Sequence, residues 1–100
     1  MPAVSLLGVM STGHGCFPPT AMVQTPVSKT FFNGIVPGVQ DSGCQFVDHT
    51  CGTVTHTQAE RYVSSGAGKT YIEGKPAARI GDNVGDGDAI AEGSANSFIE

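Results

Sequence analysis

The chain has 100 residues, including 14 Gly and 6 Pro; only 14% are charged, and five Lys and Arg leave a formal net charge of −4. That size allows one small domain with a limited core, which a metal, a disulfide or a partner subunit commonly supplements. So few cations exclude a phosphate-binding surface and hence nucleic acid as a partner, and no apolar run approaches the roughly 20 residues of a membrane-spanning helix. Gly and Pro are costly inside helices and useful in turns, so the composition predicts a turn-rich, all-β chain. A hydrophobic fraction of 39% argues against disorder.

In chain order, Pro2-Ala3-Val4-Ser5-Leu6-Leu7-Gly8 reads as a first strand. It has no basic segment and breaks too early at Gly8 for a signal peptide, so synthesis in a cytoplasm without export by the usual route is expected. Residues 11–20 form a loop with His14 and Cys16. Lys29-Thr30-Phe31-Phe32-Asn33-Gly34 then reads as a strand closed by a tight turn, because Asn-Gly accepts the positive φ that two-residue hairpins require. Pro37-Gly38-Val39-Gln40-Asp41 follows as the return strand. A second loop, residues 41–57, carries Cys44, Asp48, His49, Cys51 and His56. One or two helical turns are expected around residues 58–63.

The pattern then returns. Lys69-Thr70-Tyr71-Ile72-Glu73-Gly74 matches the first strand and turn, and Lys75-Pro76-Ala77-Ala78-Arg79-Ile80-Gly81-Asp82 is a fuller version of the return strand. Ser65-Gly66-Ala67 matches Glu92-Gly93-Ser94 as lead-ins, and Asn96-Ser97-Phe98-Ile99-Glu100 is a degraded third copy. A β-hairpin is thus written about three times. One hairpin cannot bury its own apolar face, whereas three about a common axis can, with Phe31, Phe32 and Ile72 expected in the core.

The Pro-Ala-Ala-Arg tetrapeptide at residues 76–79, its threefold echo and the Thr12-Gly13-His14-Gly15-Cys16-Phe17-Pro18-Pro19 loop together resemble the PAAR-repeat family of contractile phage tails and type VI secretion systems. The resemblance covers nearly the whole chain. It implies a small pseudo-threefold conical fold that caps and sharpens a trimeric β-helical spike, one monomer per trimer, for membrane piercing. It implies a single domain over residues 1–100 with no effector extension, made in a bacterial cytoplasm and assembled into a virion tail tip or a secretion spike, with only transient contact with the target membrane. It also implies one structural metal ion, zinc first and iron as the alternative, held by three histidines and a cysteine. No enzymatic activity is expected.

The chain has three histidines, His14, His49 and His56, all in the loops, and they form the expected ligand set. The fourth ligand departs from the family, whose members place a cysteine in the third loop. Here that stretch is Asp82-Asn83-Val84-Gly85-Asp86-Gly87-Asp88. Cys51, between two histidines, is the favoured replacement; Asp86 and Cys16 are the others, since zinc accepts sulfur and carboxylate oxygen. In a reducing compartment disulfides are disfavoured, so metal ligation is the better reading for at least one cysteine, while Cys44 reads as a small buried hydrophobe.

The three loop aspartates lack the spacing and late glutamate of a calcium-binding hand. Gly66-Ala67-Gly68-Lys69-Thr70 lacks the first glycine of a phosphate loop and leads into a strand. Asp48, His49 and a serine lack a nucleophile elbow. Arg79 and Lys75 are open to a structural role or to a spike contact. The competing functions are a small zinc metalloenzyme, which needs an open coordination position, and a free-standing metal-binding adaptor.

Overall fold

The computed structural model describes residues 2–94 and 97–99. The chain is all-β with almost no helix. Its named strands are β1 (Met22–Gln24), β2 (Asp41–Phe46), β3 (His49–Cys51), β4 (Val54–His56), β5 (Tyr62–Val63), β6 (Tyr71–Ile72) and β7 (Lys75–Pro76). They form three small antiparallel sheets ordered β1-β2-β5, β3-β4 and β6-β7. Between Gln58 and Glu60 lies a single 3-10 turn, capped by Thr57 and Glu60 reciprocally. The helix expected over residues 58–63 goes no further, because Tyr62 and Val63 pair with β2 instead. Among the described residues no helix is long and apolar enough to cross a membrane.

At the centre, three extended segments close on one another. Ser5 donates its N–H to the Ala78 carbonyl (2.9 Å), Ala78 to Gly38 (3.0 Å), and Gly38 back to Ser5 (3.0 Å). A second set closes the cycle in the opposite direction: Leu7 to Val36, Gln40 to Pro76 and Ile80 to Ala3. Each segment therefore donates to both neighbours and accepts from both, and none is left with a bare edge. Val4, Val39, Ala77 and Ala78 are fully buried here, and Phe46, Met22, Val63, Val84 and Ile90 continue the core.

Each central segment has an outer strand beside it. Phe32 and Ile35 exchange hydrogen bonds across Asn33-Gly34, and Ile72 pairs with Lys75 across Glu73-Gly74. Both turns hold both central residues at positive φ, as the two-residue hairpin demands (56° and 77°; 52° and 84°). Glutamate is unfavourable there, and its carboxylate compensates by accepting from the Lys29 N–H and the Thr30 hydroxyl. The third outer strand pairs with the start of the chain: Val4 donates to Ser97 and Ile99 to Pro2. Asn96 and Glu100 of that copy lie outside the described residues.

Phe31 corrects an expectation. It is 59% exposed, whereas Ile72 is buried and Phe32 packs against the core half-buried. Successive strand residues face opposite ways, so Phe31 and Phe32 cannot both point inward. Arg79, in the tetrapeptide, is held within the fold: it donates to both carboxylate oxygens of Asp82 and to the Gly66 carbonyl.

Gly38 is where the ring tolerates least. A Cβ there would lie 2.7 Å from Met22 Cε and 2.8 Å from Ser5 Oγ, while one at Gly68 would meet nothing within 4 Å. We predict that Gly38→Ala lowers unfolding stability by about 1–3 kcal/mol in urea titrations, and that Gly68→Ala stays within about 1 kcal/mol of the parent. Equal effects at the two sites would remove the ring from its central place.

Candidate metal centre

The three excursions between the central segments bring the chemistry together. In the first, His14 and Phe17 exchange backbone hydrogen bonds across Gly15-Cys16, fixing a tight turn. Gly13, at φ 74°, has no room for a side chain, since a Cβ would sit 2.8 Å from the Phe17 carbonyl oxygen. In the second, β3 and β4 form a hairpin about Gly52-Thr53 in which His49 pairs with His56, Thr50 with Thr55 and Cys51 with Val54. Directly opposed residues share a face, so both imidazoles leave the hairpin on the same side. In the third, Val84 and Asp88 close a turn that presents Asp86.

The ligand atoms of His14, His49, His56 and Asp86 all lie within 4.8 Å of one another. His49 Nε2 is 2.7 Å from Asp86 Oδ2, and His56 Nδ1 is 3.0 Å from the same oxygen. His49 Nδ1 lies 2.9 Å from the Pro18 carbonyl, which can only accept, so that nitrogen carries the proton. The Nε2 lone pair then faces a carboxylate oxygen. Two acceptors at that distance require a shared proton or a cation between them. His14 Nδ1 is buried without a hydrogen-bond partner, 3.9 Å from Asp88 Oδ1. Phe17 stacks on His56 with ring centroids 4.0 Å apart, closing one side of the cluster.

Three imidazole nitrogens and one carboxylate oxygen suit zinc or iron(II), so the donor set fits the expected metal. His14, His49 and His56 are brought together. Cys51, the favoured fourth ligand, is placed elsewhere: its sulfur is joined to that of Cys16 in a disulfide, with the Cα atoms 5.5 Å apart. The reason is positional. Each of these cysteines lies two residues beyond a clustered histidine, so the turn and hairpin that bring His14 beside His49 bring Cys16 beside Cys51. Asp86 takes the fourth place in the cluster. Cys44 is the free cysteine and is fully buried, as expected of a small hydrophobe; burial pushes its thiol up to about 11.

Sequence reasoning missed Arg61. Its side chain is fully buried, and Nη1 donates to Asp86 (2.8 Å) and Asp88 (3.2 Å). Nη2 donates to the Ser11 and Thr20 hydroxyls, and Nε to the Val47 carbonyl. Burial alone would push both carboxyls up. For Asp86, the hydrogen bond and charge of Arg61 outweigh it, with help from His49; for Asp88, the Thr12 and Ser11 hydroxyls and the Ala89 N–H lead. Both acids are held below the usual carboxylate range. Arg61 lies one residue ahead of β5, and burial alternates from it: Arg61 and Val63 are buried and Tyr62 between them is exposed.

No protein-family model matches the chain, and no curated protein matches it.

The sulfur assignment is open to direct counting. We expect the native protein to offer no thiol to alkylation, the denatured unreduced protein one, and the denatured reduced protein three. For the metal, Asp86→Ala should weaken zinc binding at least a hundredfold by calorimetric titration. Cobalt-loaded protein should show no sulfur-to-metal charge-transfer band. A strong band would return the fourth position to a cysteine.

Proposed function

We propose that this chain is a PAAR-type tip: a metal-pinned, pseudo-threefold cone that caps the trimeric β-helical spike of a contractile injection apparatus. The observation that carries the reading is the convergence of three separate excursions, one after each central segment, on a single cluster of three histidines and an aspartate. The cyclic hydrogen bonds of the central ring support the pseudo-threefold part. His14, His49, His56 and Asp86 would hold the ion, and a bound divalent ion would tie the excursions together, converting binding free energy into folding free energy on the order of 10 kcal/mol. A piercing tip with a small core needs such a staple.

The same register supports a docking face for the spike. Phe31 and Tyr71 occupy matching places in the first two outer strands, each just before the residue that enters the turn, and Phe98 matches them through its bridge to Ala3. All three are exposed, at 59%, 63% and 51%, although aromatic side chains are normally withdrawn from water. Three rings at matching places in three repeats suit three subunits of a spike, one ring to each. One monomer then satisfies a trimer.

We predict that Phe31→Asp, Tyr71→Asp and Phe98→Asp combined leave the melting temperature within a few degrees, because these side chains are exposed, while abolishing co-purification with the spike trimer. Native mass measurement of the parent complex should give one tip per trimer. Three tips per trimer, or undiminished binding by the triple variant, would refute the interface.

A further inference from the structure

We infer that Arg61 is a resident cation of the metal centre, a positioning residue that holds the ligand aspartate and sets how tightly a divalent ion is bound. The inference rests on the metal-binding part of the proposed function. Its first support is reach. The guanidinium bonds Ser11 and Thr20 in the first excursion, Val47 in the second, and Asp86 and Asp88 in the third. These are the three excursions that supply the clustered histidines and aspartate, so Arg61 already makes, through hydrogen bonds, the tie a metal would make through ligation.

The second support is its place among the ligand atoms. Nη1 lies 2.8 Å from Asp86 Oδ2 and 3.0 Å from His49 Nε2. With Nδ1 of His49 committed to the Pro18 carbonyl, the Nε2 lone pair accepts from Nη1. One nitrogen of Arg61 thus serves two of the four atoms a metal would use. The third support is charge. Asp86, Asp88 and Arg61 have side chains at most 1% exposed, and one guanidinium stands against two carboxyl groups there. A divalent ion beside this group relieves the carboxylates and meets the repulsion of Arg61. Removing Arg61 therefore leaves buried anions that a bound divalent ion would neutralise.

The test compares three proteins, each melted with zinc and with chelator and titrated calorimetrically with zinc: the parent, Arg61→Met and Asp88→Asn. For Arg61→Met we expect a lower melting temperature in chelator, a zinc-induced rise larger than the parent's, and a zinc Kd about tenfold lower or more. For Asp88→Asn, which leaves Arg61 resting on Asp86 alone, we expect a zinc Kd about tenfold higher, although Asp88 is outside the ligand cluster. An arginine that is only scaffold would lower both melts of Arg61→Met equally, leaving the rise and both Kd values at the parent's, and that result overturns the inference. Should Arg61→Met fail to fold in either condition, Asp88→Asn decides: an unchanged Kd overturns the inference and a weakened one upholds it. A parent that binds no zinc overturns the metal reading itself, and the inference falls with it, which separates the two failures.

Discussion

The closed cycle of backbone hydrogen bonds among residues 5, 38 and 78 is the constraint on which everything else depends. Extended segments this short cannot make a stable open sheet, because each edge would leave N–H and C=O groups bare. Closing three of them on one another removes the edges at a cost of very few residues. It also fixes where the remaining chain must go. Each segment pairs with an outer strand and is left through an excursion, so three excursions start from points already held together. Their chemical groups meet because their origins are fixed, and the ring thereby contributes to a site it does not touch.

Convergence brings an electrostatic difficulty with it. Two aspartates with almost no exposure, Asp86 and Asp88, sit beside imidazoles whose lone pairs also point inward. Buried anions of this kind are strongly destabilising unless paired. Arg61 supplies the pairing, and its planar fork suits that role because five N–H groups can serve partners in different directions at once. An ammonium at the same position could reach the carboxylates but not also the two hydroxyls and the carbonyl. Asp86 is held below the usual carboxylate range because the hydrogen bond and charge of Arg61 outweigh its desolvation, whereas at Asp88 the Thr12 and Ser11 hydroxyls lead and Arg61 adds to them.

Much of this was legible in the sequence, and what was not has physical causes. The repeat was visible because paired outer strands need the same alternation and the same turn chemistry, hence Lys29-Thr30-Phe31-Phe32-Asn33-Gly34 beside Lys69-Thr70-Tyr71-Ile72-Glu73-Gly74. The return strands were read less finely. Matching Pro37 to Pro76 is one residue off, since the hydrogen bonds place Val36 with Pro76 and Ala3. Proline is tolerated at either position there and does not mark register. The histidines were legible as a set, but the choice of Cys51 over Asp86 rested on its place between two histidines and on the family's set of three histidines and a cysteine. A symmetrical reading of residues 49–56 about Gly52-Thr53 gives the hairpin, and with it the shared face of His49 and His56. Arg61 was overlooked because a lone charged residue in the helical turns expected over residues 58–63 ordinarily points to water.

The inequality of the three excursions also follows from the chemistry. Three excursions and four clustered side chains cannot be matched one to one, so at least one excursion must supply two. The second does so by folding into its own hairpin, β3-β4, and it is the longest for that reason. Extra length is entropically inexpensive, since loop closure grows only with the logarithm of length. It does leave the excursion less tightly tied to the others. The disulfide between Cys16 and Cys51 acts at that point, joining the hairpin to the turn that carries His14. In the chain-entropy account a loop of its 35-residue separation stabilises by at most about 4 kcal/mol. The third excursion needs no such tie, because Arg61 reaches from the second excursion to its aspartates directly. Covalent bond, buried guanidinium and ligand cluster therefore act in parallel, and each fastens excursions that the central ring brings close but does not itself join.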